Sequence, residues 1–428
     1  MGILIQGGRI IDAATNTDKA GDIYLDGGVI KEIGDKLEKK EKTDRVIDAK
    51  GCLVMPGLID LHVHLRDPGQ EYKEDIETGS KAAARGGVTT VVAMPNTTPV
   101  IDSPDRVNYV HNKAAQVSGI HVLQSGAITK GEKGEELSDI SEMAQAGIPA
   151  LSEDGKSVMN SKLYKEAMEQ AVKYDLPIFA HCEDIDLRGS GCMNDDENAR
   201  RLRLPGICNA TEDAIAARDI LLANETGARL HLCHCSTSGV ARMMEFAKEA
   251  GLENVTAEVC PHHFILTSDD IPRDDPNYKM NPPLRTKADV EALRRALKNG
   301  AIQVISTDHA PHSAKDKTGS MRSTPFGIVG LETSLALTYT ELVEKGVLTI
   351  TEMVEKMSWN PAQILGLDSG TIQEGHPADI IVVDVDNEYE IDKNKFLSKA
   401  RNTPFQGWKV KGKVLYTICD GKIVYQDN

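Results

Sequence analysis

Nowhere does the chain carry about 20 consecutive apolar residues, so no transmembrane helix is supported. Met1-Gly2-Ile3-Leu4-Ile5-Gln6-Gly7-Gly8 lacks both a basic region and a long apolar core, and is not expected to serve as a secretory signal. Paired cysteine spacing is missing as well. Of the eight cysteines, Cys233 and Cys235 flank His234 on the opposite strand face, while Cys52, Cys182, Cys192, Cys208, Cys260 and Cys419 show no metal-binding spacing. Reduced, mostly buried thiols in a cytoplasmic protein are the expectation. Base is scarcer than acid: 49 Lys and Arg against 65 Asp and Glu leave a net charge of -16. That balance argues against nucleic acid or an anionic membrane as the main partner, and is read as a solubility feature. No short-period repeat appears, and a hydrophobic content of 40% allows a sizeable core.

What is present is a series of apolar runs ending in ligand-type side chains. Met55-Pro56-Gly57-Leu58-Ile59 leads into Asp60-Leu61-His62-Val63-His64-Leu65-Arg66. Alternate residues of a strand share a face, so Asp60, His62 and His64 are expected to project together. Two neutral imidazoles one strand repeat apart suit a divalent ion such as zinc. Alone, such a pair is as often two satisfied core histidines. Three more runs shift that balance. Leu176–Ala180 ends in His181, Arg229–Cys233 ends in His234, and Ala301–Thr307 ends in Asp308, followed by His309 and His312.

The first fifty residues read as short strands separated by glycine turns: Ile3–Ile5, Arg9–Asp12, Asp22–Leu25, Val29–Ile33 and Val46–Asp48, with Asp26-Gly27-Gly28 as a hairpin signal. The same texture returns in Ile380–Val385, Lys409–Thr417 and Lys422–Tyr425. Between these ends strand and helix alternate. Helices are expected over Lys73–Arg85, from the Asn209–Glu212 capping-box spacing through Ala223 to a stop at Gly227, over Lys287–Lys298 and over Gly327–Lys345. Repeated βα units imply parallel strands, and ligand groups spread over some 250 residues converge in a closed barrel but not in an open sheet. The expected fold is therefore α/β: a (β/α)8 TIM-like barrel over residues 54–367. A small β-sandwich domain built from both termini, residues 1–53 and 368–428, completes it.

On these residues the chain resembles the class I bacterial-type dihydroorotases of the amidohydrolase superfamily. Asp60-Leu61-His62-Val63-His64-Leu65-Arg66-Asp67-Pro68-Gly69 is similar to the first signature of that family. Ser306-Thr307-Asp308-His309-Ala310-Pro311-His312, with Lys317 five residues on, is similar to the second. Met94-Pro95-Asn96-Thr97, Ala127–Gly131 and Asn281-Pro282-Pro283-Leu284-Arg285 fit the same pattern, so the resemblance spans essentially the whole chain. It implies two Zn2+ ions, with His62 and His64 on the first, His181 and His234 on the second, Asp154 bridging and Asp308 as the last ligand. It also implies that His64, Arg66, Asn96, Asn281 and His312, with the backbone at Phe326-Gly327, contact substrate. The implied reaction is the interconversion of carbamoyl-aspartate and dihydroorotate in pyrimidine synthesis. The implied assembly is a homodimer, with association with aspartate transcarbamoylase in some relatives.

The residue chemistry points the same way. A hydroxide held between two ions ~4 Å apart is a nucleophile near neutral pH, and a metal also polarises a ring-amide carbonyl. Asp308 can move a proton between hydroxide and the leaving nitrogen, or serve as a ligand only. Arg66 offers a planar fork for a carboxylate. Asn96 is a buried amide in need of partners. His262, His263 and His309 have no spacing of their own and read as packing or supporting residues. The bridging position has two readings. Asp154 shares a strand face with Ala150 and Ser152, while Lys156, modified by carbon dioxide, is the alternative that allantoinases and hydantoinases usually carry.

Overall fold

The computed structural model describes residues 2–40 and 43–427, so the end points 1 and 428 of the expected division lie outside it. Alternating apolar residues near both ends of the chain meet in one buried cluster. Ile3, Ile5, Ile10, Ile23, Leu25 and Ile30 pack there with Ile380, Val382 and Ile418. The strands that carry them form one eight-stranded sheet among the described residues. Its order is Lys422–Gln426, Lys413–Cys419, Ile380–Asp384, Leu53–Pro56, Gly2–Asp12, Thr17–Asp26 and Val29–Gly34, with Thr43–Asp48 also paired to Gly2–Asp12. The expected hairpin is present, with Asp26 facing Val29 across Gly27 and Gly28, both at positive φ.

At Gly57 the chain passes into a parallel set. Its strands are Leu58–Val63, Val88–Ala93, His121–Gln124 with Gly126–Ala127, Leu151–Ser152, Ile178–Ala180, Leu230–Leu232, Val255–Val259 and Val304–Ile305. Neighbours pair in parallel throughout. Val63 bridges His309, and the His64 N–H donates to His309 O at 2.8 Å, which returns the last run to the first. One cluster draws Ile59, Leu61, Val92, Ala150, Phe179, Cys233 and Val304 from successive strands. A second cluster lies between the strands and the helices, with Val107, Ala167, Ala216, Val240 and Leu293 facing Val91, Ile178, Leu230 and Ala257. No helix among the described residues is long and apolar enough to cross a membrane.

Several local expectations give way to tertiary partners. Ile3–Ile5 and Arg9–Asp12 belong to one strand, whose register slips between Ile5 and Gly8; Gly7, with φ of 73°, takes up the extra residue. The run over Lys409–Thr417 breaks at Gly412, with φ of 93°, so that Lys409–Val410 pairs with Tyr389–Glu390 while Lys413–Cys419 pairs with Ile380–Asp384. The helix expected from Gly327 begins only at Ser334. Before it, the backbone at Gly327, Ile328 and Val329 is spent on Lys279, Ala310 and Asn402. The helix expected from Lys73 starts at Ile76, where Asp75 accepts from the Thr78 N–H. Asn209 makes no side-chain cap: its backbone is already helical and its Nδ2 donates to Asp289 Oδ1 at 3.1 Å, while Glu212 accepts from the Ser236 N–H.

Gly86 ends the helix Ile76–Arg85 with φ of -80°, so the position demands space and not backbone freedom. A Cβ there would overlap the carbonyl oxygen of Leu331. Gly86→Ala is expected to cost about 1–3 kcal/mol, the usual penalty of overpacking. The readout is a lower urea midpoint at unchanged m-value. An unchanged midpoint would show that the backbone around Leu331 yields freely.

Candidate metal centre

Six ligand-type side chains gather where the parallel strands end: His62, His64, Asp154, His181, His234 and Asp308, all buried. Asp154 lies among them. Its Oδ1 is 3.2 Å from His62 Nε2, 3.7 Å from His181 Nδ1 and 3.7 Å from His234 Nε2, and its Oδ2 is 3.5 Å from His64 Nε2. Asp308 Oδ1 is 3.1 Å from His64 Nε2 and 3.8 Å from His62 Nε2. Two ligand triads share the Asp154 carboxylate: His62, His64 and Asp154, and Asp154, His181 and His234. Lys156 stands apart, its Nζ donating to Glu132 O at 3.0 Å.

Cations fit this arrangement. His62 Nδ1 and Nε2, Asp154 Oδ1 and His234 Nδ1 are buried without hydrogen-bond partners. His181 Nδ1 and His234 Nε2 face each other at 3.0 Å. Burial pushes His64 and His234 below the usual imidazole range, which leaves their lone pairs free. Burial drives Asp154 upward, but facing His62 and His234 hold it well below the usual carboxylate range. Four imidazoles and two carboxylates form a donor set suited to divalent metal. Backbone strain marks the same place, for Arg66, His234 and Asp308 all have positive φ, at 59°, 35° and 47°.

A second layer aims the imidazoles. His64 Nδ1 donates to Asn96 Oδ1 at 2.9 Å, which leaves Nε2 as the acceptor facing Asp154 and Asp308. Asn96 Nδ2 in turn donates to Asp154 Oδ2 at 2.8 Å. His181 Nε2 donates to Glu183 Oε2 at 3.4 Å, and Glu183 Oε1 accepts from Asn281 Nδ2 at 2.9 Å. Glu258, with 0% exposure, places Oε1 at 3.2 Å from His62 Nδ1 and Oε2 at 3.2 Å from His231 Nε2. Burial drives Glu258 upward, yet His231 and His62 hold it far below the ordinary range. Glu183, His231 and Glu258 escape a reading of the sequence. The one available signal is a charge inside the apolar strand Val255-Thr256-Ala257-Glu258-Val259. Asp60 departs from expectation in the opposite direction. The strand register slips between Asp60 and Val63, and the Asp60 carboxylate accepts from the backbone N–H groups of His62 and Thr307 instead of joining the triads. Burial pushes Asp60 up to about 7.

Above the ligands opens a cavity of about 200 Å³, with His64, Asn96, Asp154, His181, His234 and Asp308 toward its floor and Arg66, Asn281, His312, Phe326 and Gly327 along its wall. His62 supports it from beneath. Arg66 Nε donates to Pro311 O at 3.3 Å, and His312 Nε2 donates to Phe326 O at 2.8 Å. Burial and the Arg66 charge push His312 down to about 2, so it stays neutral beside the guanidinium. Gly327 has φ of 125°, and a Cβ there would meet Ala310 Cβ at 2.6 Å. Lys317 Nζ donates to Pro325 O at 2.9 Å and Lys279 O at 3.2 Å, tying the two wall segments together. Asn402 fastens the wall from behind: its Oδ1 accepts from His312 N at 3.2 Å, and its Nδ2 donates to Ala310 O at 3.1 Å and Gly327 O at 3.0 Å. His309 sits under this wall, with Nε2 3.5 Å from Glu74 Oε2. A larger cavity of about 800 Å³, between Arg85 and the C-terminal strands, gathers no comparable ligand set among the described residues.

The amidohydrolase family matches residues 53–424 of the chain. A dihydroorotase of Geobacter metallireducens is 48% identical over 426 residues, 100% of either chain. A dihydroorotase of Acetivibrio thermocellus is 46% identical over 425 residues, 99% of either chain. Among solved structures, the L-hydantoinase (dihydropyrimidinase) of Arthrobacter aurescens superposes with a TM-score of 0.88 at 27% identity, over 99% of this chain and 96% of that one. The dihydropyrimidinase of Brevibacillus agri gives 0.87 at 26%, over 100% and 95%. These likenesses carry the architecture of a TIM barrel with a small accompanying domain. The chain belongs to the amidohydrolase family, among the dihydroorotases.

Proposed function

We propose that the chain is a zinc-dependent cyclic amide hydrolase that interconverts N-carbamoyl-L-aspartate and (S)-dihydroorotate, the ring-forming step of pyrimidine synthesis. One observation carries this reading: two ligand triads sharing Asp154 lie beneath a small cavity whose wall presents Arg66, Asn281 and His312. In this reading His62 and His64 hold one ion, His181 and His234 the other, Asp154 bridges them and Asp308 completes the set. Two bound ions would supply Lewis acidity, lowering the pKa of water and polarising the ring-amide carbonyl. Arg66 receives the ring carboxylate with its planar fork, beside the neutral His312. His64, Asn96, Asn281 and the backbone at Phe326-Gly327 orient the ring. Asp308, lining the cavity beside the ligands, takes the proton of the attacking water and passes it to the departing amide nitrogen.

The same proposal describes the architecture as a (β/α)8 barrel over residues 54–367 and a β-sandwich from residues 1–53 and 368–428. Eight successive parallel pairings support the barrel, and strands from both termini meet in one mixed sheet. It extends to a cytoplasmic homodimer, which the mass of the assembly in solution would test, alone and with aspartate transcarbamoylase added, the partner that some relatives take. Likeness to hydantoinases makes a neutral cyclic amide the rival substrate. Turnover of dihydroorotate well above that of hydantoin and dihydrouracil is expected. The opposite ranking would overturn the substrate assignment.

Four variants divide the roles. Arg66→Lys keeps the charge and loses the fork, so kcat/KM for dihydroorotate should fall by about 10- to 100-fold, the scale of one charge-assisted hydrogen bond, at unchanged metal content. Wild-type kinetics in that variant would remove Arg66 from the carboxylate site. Asp308→Asn should fold and retain metal, perceptibly less of it, while turnover falls by roughly 10²- to 10⁴-fold in both directions. Near-normal turnover would move the proton shuttle elsewhere. Asp154→Ala should reduce the metal bound at this centre from about two ions toward about one, whereas Lys156→Ala leaves the metal content intact. The reverse pattern, with bicarbonate restoring metal to the unmodified chain, would make Lys156 the bridge.

A further inference from the structure

We infer that Cys260, His262 and His263 form a separate site for a soft d10 cation, sharing no ligand with the centre beneath the cavity. The chain turns sharply after the strand Val255–Val259, and the short helix Pro261–Ile265 folds residues 260, 262 and 263 together. One ligand atom from each lies within 4.8 Å of the other two. Their exposures are 0%, 2% and 2%, so water has little access to them. The imidazole rings stand 4.1 Å apart between centroids.

The hydrogen-bond pattern leaves one ring nitrogen of each histidine without a partner. His263 Nε2 lies 2.9 Å from Pro282 O, and a carbonyl oxygen only accepts, so the ring proton is on Nε2. Nδ1 of His263 therefore presents a lone pair, and it is buried with no hydrogen-bond partner. Nε2 of His262 is likewise buried and unpartnered. Burial pushes His263 down to about 3 and His262 well below its usual range, so both rings stay neutral. Two stranded imidazole nitrogens beside a thiol call for a positive partner.

The donor set selects the ion class. One thiolate with two imidazoles suits Zn2+ and its softer relatives and does not suit hard, oxygen-seeking cations. Binding replaces the Cys260 S–H bond by a sulfur–metal bond and releases one proton to solvent. Burial raises the Cys260 thiol well above its usual range. A bound ion would also stiffen the cavity wall, because His263 holds Pro282 O and the neighbouring Asn281 lines the cavity. The sequence alone hides this site, since Cys-x-His-His lacks the second paired spacing of common zinc motifs.

The test counts ions in the full-length protein produced with zinc. Elemental analysis should find one zinc per chain more in the wild type than in folded Cys260→Ser or His262→Asn. Cadmium exchange should give the wild type an ultraviolet thiolate-to-metal charge-transfer band that persists in Cys233→Ser and vanishes in Cys260→Ser. Equal zinc counts in the wild type and either folded variant, or no cadmium band in the wild type, would overturn the site in favour of a buried water. Should neither ligand variant fold, the wild-type cadmium band and its survival in Cys233→Ser decide the matter. Ion counts at the centre beneath the cavity and dihydroorotate turnover are read separately, so failure of either proposal leaves the other standing.

Discussion

Asp154 puts one carboxylate within 3.2–3.7 Å of imidazole nitrogens from four different histidines. No local element can create that convergence, because the five residues lie at the ends of four separate strands. It is tenable only where positive charge enters or where each imidazole is held by its far nitrogen. Half-buried Asn96 and buried Glu183 hold His64 and His181 in this way, and Glu258 stands 3.2 Å from His62 Nδ1, but His234 Nδ1 has no such partner, and the donor set invites positive charge. Much of the surrounding architecture follows from this demand. The strands must end at one level, the turns at His234 and Asp308 must accept positive φ, and a charged Glu258 must be tolerated in an apolar strand.

A cluster of this kind writes part of itself into the sequence. His62, His64, His181, His234 and Asp308 each follow an apolar run, and strand ends can be read from such runs. Asp154 was harder, because its run is short and only Leu151–Ser152 pairs as a strand. Glu258 and Glu183 were invisible for a different reason. A supporting carboxylate has no periodicity of its own, and its meaning lies in a partner 196 positions away in one case and two in the other. Strict alternation misplaced Asp60, since a register slip breaks the two-residue period there. Capping-box spacing misjudged Asn209 because its amide found Asp289, and Glu212 found Ser236 and Arg285, across the fold. Local signals fail where a tertiary partner offers a better bond.

The architecture and the chemistry separate cleanly in this chain. Solved hydantoinases superpose closely at about a quarter identity, while the sequence relatives near half identity are dihydroorotases. A shared barrel therefore says little about which ring is opened. Under the proposed function, the features that bear on the choice of ring are small and local. A guanidinium stands beside a neutral imidazole in the cavity wall, and an aspartate occupies the midpoint of the ligands while Lys156 turns to a backbone carbonyl.

Asn402 gives the geometry a temporal meaning. The converging ligands are all in place by residue 308, but the wall bearing His312 and Gly327 is fastened by an amide almost a hundred residues later. Ser398 and Glu74 add a second tie behind His309. During synthesis from the N-terminus the ligand-type side chains emerge first, and Asn402 cannot fasten the cavity wall until the C-terminal segment leaves the ribosome. The order of emergence thus places the ligand set ahead of the tie that fixes the wall above it.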